Sequence, residues 1–258
     1  MAESLPDDWL LPQWPAPPWV RAVCTSRNGG VSAAPYDSLN LGDHVGDDPA
    51  DVAANRAVLA RALGVRPVFL QQVHGQGLVA LSGRETSGPQ LQADACISRN
   101  LGLACTILVA DCLPVLFTDR RGSFVAAAHA GWRGLAGGVL EAVISHLCAP
   151  GGLDPADLLV WLGPCIGPLA FEVGGEVKAA FEAYHPRAAD CFVATQQPDK
   201  WLANLPALAR QRLAASGVQQ VFGNDGQARW CTVSQPSRFF SHRRDGVSGR
   251  FAACIWLT

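Results

Sequence analysis

Apolar positions along the chain follow two different spacings, which predict a mixture of strands and helices. Short apolar runs bounded by glycine or charged residues are typical of strands. They predict strands over Val20–Ser26, Val68–Val73, Gly77–Leu81, Ala95–Ile97, Leu103–Val109, Val115–Thr118, Phe124–Ala128, Leu158–Leu162, Val218–Phe222 and Arg250–Leu257. The run over Leu158–Leu162 has no polar alternation, so we expect that strand to be buried on both faces.

Helical spacing marks four further segments. Asp48 and Pro49 predict the N-cap and first turn of a helix that Gly64 ends. A second helix presents an apolar face at spacings of about four, formed by Leu135, Val139, Val143 and Leu147. Two more are predicted over Val173–Tyr184 and Lys200–Ala215. Pro206 must start or kink the last of these, because proline cannot continue a helix ladder.

The order of these elements predicts an α/β (α+β) fold. Strands and helices mix without a strict strand–helix–strand rhythm, and the chain has no repeat and no evident linker. We therefore expect a single-domain layered sandwich of mixed β-sheets flanked by helices. Residues 1–19 are rich in proline and tryptophan and are expected to form an irregular lead-in, followed by one catalytic domain over residues 20–258.

Composition narrows the class of partner and the compartment. The 20 basic and 22 acidic side chains nearly balance, so no overall field favours nucleic acid or an anionic membrane. The acidic first ten residues do not resemble a signal peptide, and Asp111 and Pro114 interrupt the most apolar stretch. Nine cysteines at irregular spacing do not form a disulfide framework. These features indicate a cytoplasmic protein with no nucleic-acid or membrane partner.

Three segments, QQVHG, ADCLP and AHAGWRG, each carry a metal-capable side chain after an apolar run: His74, Cys112 and His129. Two imidazoles and one thiolate satisfy three positions of tetrahedral zinc, and the open fourth position is typical of catalytic zinc. We therefore predict a Zn²⁺ site, with Cu²⁺ as the alternative ion. The same residues would serve a metal-free cysteine hydrolase, with Cys112 as nucleophile and a histidine as base. A non-catalytic binding module is disfavoured, because such side chains at strand ends are costly for packing alone.

Several segments in a fixed order resemble the YfiH/laccase-domain family, whose members are described as purine nucleoside phosphorylases and earlier as polyphenol oxidases. They are QQVHG, ADCLPVLF, AHAGWRGL, GPCIGPLAFEVG and FFSHRRDGVSGRFAACI, preceded by TSRNGGVS and LNLGDHVGDDP. The resemblance covers the chain from about Thr25 to its last residue. It implies that His74, Cys112 and His129 are metal ligands. The chain departs from the family at His242, where tyrosine is frequent, and this changes only a pocket contact.

The resemblance also implies the reaction. It predicts a metal-dependent purine nucleoside phosphorylase that converts adenosine, inosine and methylthioadenosine to the free base and ribose 1-phosphate, with adenosine deamination as a side activity. The partners would be a purine nucleoside and inorganic phosphate, and the protein a monomer or weak homodimer. One alternative is hydrolysis of a cell-wall nucleotide precursor, a UDP-MurNAc-amino acid. Another is weak copper-dependent phenol oxidation. A true laccase needs roughly ten histidines for its copper centres, and this chain has 6.

Five other residues are candidates for the same site. Asp111 precedes the cysteine and is predicted to orient an imidazole during catalysis, a turn cap being the alternative. Asp94 is expected to orient a ligand or a substrate hydroxyl, and Asn40 to contact a ribose hydroxyl or a base edge. Arg133 opens a helix, where an arginine suits phosphate, and Arg243 lies in a polar patch that suits the same anion.

Overall fold

The computed structural model describes residues 5–83, 91–149 and 152–258. Its strands are Val20–Cys24 (β1), Arg66–Val68 (β2), Leu78–Leu81 (β3), Ala95–Ser98 (β4), Leu103–Val109 (β5), Leu113–Asp119 (β6), Val125–Ala130 (β7), Leu158–Leu162 (β8), Glu172–Gly174 (β9), Phe192–Ala194 (β10), Lys200–Ala203 (β11), Gln220–Gly223 (β12) and Phe251–Leu257 (β13). Its α-helices are Pro49–Leu63 (α1), Trp132–Gly137 (α2), Val139–Leu147 (α3), Gly175–Glu182 (α4), Leu205–Ala215 (α5) and His242–Asp245 (α6).

Two large sheets carry most of these strands. One has six strands in the order β12-β8-β6-β7-β4-β3, and the other has four in the order β1-β13-β5-β2. Both sheets are mixed: β12 runs parallel to β8, β3 to β4 and β2 to β5, while the remaining neighbours are antiparallel. A small third sheet has the order β10-β11-β9, and within the described residues none of its strands pairs with a strand of the two large sheets.

The side chains of the strands divide the core into layers. Along β13, Phe251, Ala253 and Ile255 face the six-stranded sheet, whereas the alternate residues face α1. This period of two buries both faces of the four-stranded sheet. The outer face of the six-stranded sheet is covered by α3, α4 and α5. The molecule is therefore a helix–sheet–sheet–helix sandwich, which confirms the predicted single-domain fold class.

Several predicted elements are confirmed with their physical causes. Leu158–Leu162 is a strand that is buried at every residue. At the start of α1, the side chain of Asp48 accepts a hydrogen bond from the backbone N–H of Ala50, and Pro49 follows at the first helical position. The helix ends at Gly64, which adopts φ 68°, a conformation that costs glycine little.

The predicted strand over Val68–Val73 is wrong beyond Val68, where β2 ends. Beyond Val68 the regular backbone ladder stops: Gln71 forms only an isolated bridge with Gln92, and Gln72 contacts β5 through its side chain. The side chain of Gln72 donates to the carbonyl of Leu108 and accepts from its N–H, both at 2.8 Å. A side-chain amide that satisfies backbone groups releases the chain from the sheet ladder.

The predicted helices over Val173–Tyr184 and Lys200–Ala215 both begin too early. Each opens with a short strand, β9 and β11, and these two strands pair with each other. The second helix begins after Asn204, whose side chain caps it, so Pro206 marks a start rather than a kink. Gly138, at φ 105°, also divides the helix predicted from Leu135 to Leu147 into α2 and α3.

The N-terminal lead-in packs onto the sandwich where the structure describes it; residues 1–4 lie outside the described residues. Trp9 is buried in the same hydrophobic cluster as α1, and Leu10 forms an isolated bridge with Cys24. Within the described residues, no helix is both long and apolar enough to cross a membrane.

Candidate metal centre

The three predicted ligands lie at one end of the strands of the six-stranded sheet. His74 lies in the turn that leads to β3, and Cys112 directly precedes β6. The strand predicted over Phe124–Ala128 was expected to end just before His129, and that end is wrong, because β7 continues to Ala130. His129 therefore projects from a strand rather than from a turn, and its backbone is fixed by pairing on both sides.

Strand pairing explains why these residues converge. His129 is opposite Pro114 in the β6–β7 ladder, which brings Cys112 beside it. On the other side, the N–H of His129 donates to the carbonyl of Asp94 at 2.7 Å, just before β4 begins. Ladder geometry thus places two of the three ligands, because neighbouring strands lie about 4.8 Å apart.

The distances suit a shared metal ion. One ligand atom from each of His74, Cys112 and His129 lies within 4.8 Å of the other two. Cys112 Sγ is 3.9 Å from His74 Nε2, and the two imidazole rings meet edge to face with centroids 4.8 Å apart. Tetrahedral zinc would hold such atoms about 3.4–3.6 Å apart, so a small contraction completes the site. Two nitrogens and a sulfur suit zinc or copper.

A fully buried carboxylate holds this arrangement together. Asp94 accepts hydrogen bonds from the backbone N–H groups of Val73, His74 and Gly75 at 3.2, 2.9 and 2.7 Å. It also lies 2.8 Å from Nδ1 of His129. With Nδ1–H donating to Asp94, Nε2 of His129 keeps a lone pair for an ion. Asp94 thus contacts both His129 and the turn that carries His74.

The bonds to Asp94 also hold the His74 turn, whose φ of 60° is unusual for a residue other than glycine. Burial alone would raise the pKa of Asp94, but the hydrogen bonds from His129 and from the backbone outweigh burial and lower it. Asp94 therefore stays a carboxylate, the form that can accept all of these bonds.

Cys112 and His129 form a coupled pair. Burial raises the pKa of Cys112, but the charge of His129 and hydrogen bonds from both imidazoles outweigh burial and lower the pKa to about 6. Burial lowers the pKa of His129, yet the charges and hydrogen bonds of Cys112 and Asp94 raise it to about 9. In the metal-free protein at neutral pH the pair is thus a thiolate and an imidazolium. The thiolate is the form that binds metals.

Two glycines allow the ligand loops to close on α2. A Cβ atom on Gly131 would lie 2.9 Å from Cys112 Sγ and 3.0 Å from His74 Cδ2. A Cβ atom on Gly134 would lie 2.9 Å from the carbonyl oxygen of Gly75. Any larger residue at these positions would push on the ligands or on their backbone, which explains the glycines of the AHAGWRG segment.

Asp111 is placed differently from the prediction that it orients an imidazole. Its carboxylate accepts hydrogen bonds from the hydroxyl of Thr232 and from the backbone N–H of Arg243, both at 2.6 Å. Asp111 thereby caps the first turn of α6, which agrees with the alternative of a capping carboxylate. It adopts φ 90°, so the backbone next to Cys112 is constrained.

Asn40 does not line the metal cavity. It is fully buried, and its side-chain amide bonds Gly42, Asp47 and the backbone N–H of Arg250. All of its hydrogen-bonding groups are therefore used within the protein, and the predicted contact with a ribose hydroxyl or a base edge is not supported by its position. Asn40 instead joins its loop to the residue that precedes β13.

The ligands open into a cavity of about 460 Å³. We call His74, Cys112 and His129 the ligand wall. Three arginines that line the same cavity, Arg133, Arg243 and Arg250, form what we call the cationic wall, and His44 and His242 also line the cavity. Trp132, Ile166 and Phe171 supply apolar surface between the walls. The volume falls within the range of small-molecule sites, roughly 300–1,000 Å³.

The arginines of the cationic wall differ in how firmly they are held. Arg243 donates to the carbonyls of Ala170 and Glu172 at 3.3 and 3.0 Å. Arg250 is partly buried. Burial lowers its pKa, whereas the negative charges of Cys112 and Asp111 raise it by a smaller amount. Arg133 is exposed; among the described residues its guanidinium contacts only the ring of Trp132, 4.3 Å from the centroid. Its donors are therefore available to an anion.

Four polar or aromatic residues of the cavity were not predicted from the sequence: Gln72, Trp132, Phe171 and Arg250. Three of them stand inside segments that already stood out, namely QQVHG, AHAGWRGL and GPLAFEVG. Their aromatic or amide side chains gave no signal that distinguishes a cavity wall from a packed core. Arg250 is the residue before a long apolar strand, where a cation usually faces solvent.

The chain is similar to known proteins over nearly its whole length. A family described as multi-copper polyphenol oxidoreductase laccase matches residues 21–258. A protein of Pseudomonas aeruginosa named as a purine nucleoside phosphorylase is 53% identical over 249 residues, covering 96% of this chain and 98% of that protein. The purine nucleoside phosphorylase YfiH of Escherichia coli is 50% identical over 250 residues, with the same coverage.

Solved structures show the same fold. The Neisseria meningitidis protein NMB0706 superposes with a TM-score of 0.90 at 45% identity, covering 97% of this chain and 99% of that one. YlmD from Geobacillus stearothermophilus superposes with a TM-score of 0.86 at 31% identity, covering 94% of both chains.

Proposed function

Because the chain belongs to the multi-copper polyphenol oxidoreductase laccase family, in which its similar relatives are named purine nucleoside phosphorylases, we propose that it is a metal-dependent purine nucleoside phosphorylase. Its substrates are adenosine, inosine and methylthioadenosine, and its products are the free base and ribose 1-phosphate. His74, Cys112 and His129 hold the ion, zinc in preference to copper.

One observation carries this proposal: the ligand wall and the cationic wall face the same cavity. A nucleoside and phosphate together need an apolar surface for the base and cations for the phosphate. Trp132 and Phe171 supply aromatic rings, which stack on bases. Arg133 and Arg243 supply guanidinium groups, which bind phosphate in a two-point geometry.

In phosphorolysis, a phosphate oxygen forms a bond to C1′ while the bond between C1′ and the purine nitrogen breaks. The electron pair of that bond leaves with the purine, which takes up a proton. Positive charge develops at C1′, so the phosphate anion must be held against it in a fixed position. We assign this positioning to Arg133, with the positive charges of Arg243 and Arg250 making the local electrostatic potential more favourable for the anion.

A divalent ion bound by the ligand wall supplies Lewis-acid polarisation at the substrate. The side chains of this chain do the remaining work: Asp94 keeps His129 oriented, and the apolar residues between the walls exclude water. Deamination of adenosine, in which water replaces the amino group at C6 and ammonia leaves, is a side activity of the same cavity.

A product assay with adenosine tests the proposal. The metal-loaded protein should release adenine and ribose 1-phosphate only when phosphate is present, and inosine would report deamination separately. Arg61→Ala, an exposed charge change on α1, serves as a control that should behave as wild type. If free ribose were the only sugar product at every phosphate concentration, the enzyme would be a hydrolase.

One observation favours a second candidate, a cysteine hydrolase that acts on a cell-wall nucleotide precursor. Asp94, His129 and Cys112 form a chain in which a carboxylate bonds the imidazole and the imidazole lowers the pKa of the thiol to about 6. This arrangement also suits nucleophilic catalysis. Full turnover in metal-free protein, blocked by alkylation of Cys112, would favour it.

A further inference from the structure

A second cavity, of about 260 Å³, lies away from the metal centre. Residues of α4, of the 3₁₀ segment Pro186–Cys191 and of α5 line it, and none of them lines the metal cavity. Its floor is apolar, since Phe181 and Leu208 line it and are 2% and 1% exposed.

A buried guanidinium in the wall of this cavity lacks part of its hydrogen bonding. Arg212 is 5% exposed, and its Nε donates to Glu141 Oε1 at 2.7 Å. Its buried Nη1 has no partner, and neither does Oε2 of Glu141, so the pair is joined by one contact rather than two. A buried donor without an acceptor is costly. Because Nη1 is itself closed to solvent, a ligand in the cavity would meet the positive charge of the guanidinium rather than this donor.

Two other residues of the lining, Arg187 and His185, supply donors. Arg187 is exposed, and its nearest carboxylate, Asp190, is 3.9 Å away. His185 Nδ1 accepts from the N–H of Arg187 at 3.2 Å, so in the neutral ring the proton lies on Nε2, which can donate. Neither aspartate nor glutamate lines the cavity. This combination of donors without acidic groups suits an anion.

The apolar part of the cavity suits a flat group. The ring of Tyr184 lies 3.8 Å from Cζ of Arg212 and is 48% exposed, which leaves surface for a ligand. We propose that this cavity is a second small-molecule site, which binds an organic anion made of a carboxylate or phosphate on a compact, flat apolar body. The proposal does not depend on the reaction carried out at the metal centre.

Calorimetric titration of the metal-loaded, full-length protein with phenyl phosphate tests this, with inorganic phosphate already present at a concentration that fills the phosphate site of the metal cavity. Phenyl phosphate should still bind, whereas phenol, which lacks the charge, and further inorganic phosphate, which lacks the ring, should each bind at least about tenfold more weakly. Equal binding of inorganic phosphate and phenyl phosphate, or no binding of phenyl phosphate at millimolar concentrations, would overturn the proposal.

Two surface variants locate the binding. Arg187→Ala should weaken phenyl phosphate binding about tenfold, and Ala215→Phe, which adds a ring to the exposed end of the lining, should abolish it. Arg61→Ala removes the same charge from α1 and should have no effect. Arg133→Ala distinguishes the two cavities: loss of binding in this variant, with binding retained in Arg187→Ala and Ala215→Phe, would assign the ligand to the metal cavity and disprove a second site.

Discussion

The two walls of the metal cavity are built in different ways. The ligand wall is held from behind by one buried carboxylate, by strand pairing and by two close glycines. The arginines of the cationic wall lie at the start of α2, in the four-residue helix α6 and directly before β13, and two of them, Arg133 and Arg243, are exposed.

This difference separates two tasks. A metal site tolerates little displacement, because coordination distances are fixed to within about 0.2 Å. Phosphate and nucleoside binding tolerate more, because several cations share the charge. Substitutions in the ligand wall should therefore abolish metal binding, whereas substitutions in the cationic wall should change substrate use and leave the metal in place. The following predictions test that division.

The largest effect is expected from the ligands themselves. His74→Ala and His129→Ala should each lose the metal and reduce turnover by at least about 100-fold, because two remaining ligands hold zinc weakly. Metal content by elemental analysis and turnover of adenosine would be measured together. Chelation of the wild type should have the same effect, reversed by zinc. If His74→Ala retained activity without metal, the cysteine hydrolase would be favoured.

Asp94→Asn should have the next largest effect. The amide has one accepting oxygen instead of two, so it cannot receive three backbone N–H groups and the proton of His129. Loss of such a supporting carboxylate typically lowers metal affinity by about 10–100-fold. Competition with a zinc chelator would measure the affinity, and circular dichroism would check the fold. Asp51→Asn, on the outer surface of α1, is the matched control. Unchanged affinity would show that the ligand wall does not need Asp94.

The reactivity of Cys112 in metal-free protein should follow its lowered pKa. Because that pKa is about 6, the thiolate predominates above pH 6 and is lost as the pH falls through it. An ordinary thiol, with pKa near 8.5, would carry about 30-fold less thiolate at pH 7. Alkylation by iodoacetamide, followed by mass spectrometry, should show a midpoint near pH 6.

His129→Gln, which removes the positive partner, should move that midpoint upward. Zinc should protect Cys112 at every pH above the midpoint. A midpoint near pH 8.5 in the wild type would mean that the imidazole does not stabilise the thiolate.

The smallest effect should come from the cationic wall. Arg133→Ala should raise the KM for phosphate about tenfold, the cost of one charge-assisted contact, with kcat changed less and with full metal content. Arg133→Lys should recover part of the loss. Loss of metal in Arg133→Ala would contradict the claim that the cationic wall can be changed without affecting metal binding.

The ligand set could be predicted from sequence because each ligand lies inside a contiguous segment. The network behind it could not be predicted in detail, since Asp94 bonds residues 19 to 35 positions away. Asn40 was predicted to contact a ligand but has a structural role. A polar residue in a glycine-rich loop looks available to a ligand, yet its amide forms hydrogen bonds with Gly42, Asp47 and Arg250. Only the folded arrangement distinguishes the two cases.

The predicted boundaries of elements are wrong where pairing with a strand distant in sequence overrides the local preference for a helix. The segments that open the predicted helices at Val173 and Lys200 became β9 and β11 because they pair with each other across nearly thirty residues. Leu158–Leu162 was predicted correctly because burial on both faces leaves its mark in every residue of the strand. A short strand that is only partly buried, such as β9 or β11, leaves no such mark.

The position of β13 has a consequence for how the chain is made. This strand is synthesised after every other strand of the described residues, yet it lies between β1 and β5 in the four-stranded sheet. During translation, β1 must wait for a partner more than 220 residues later, as in its pairing of Val20 with Leu257. A nascent or stalled chain would expose two unpaired strand edges, which favour aggregation. Arg250, directly before β13, would reach the cationic wall only when β13 pairs with β5, so the pairing that closes the sheet also completes the cavity.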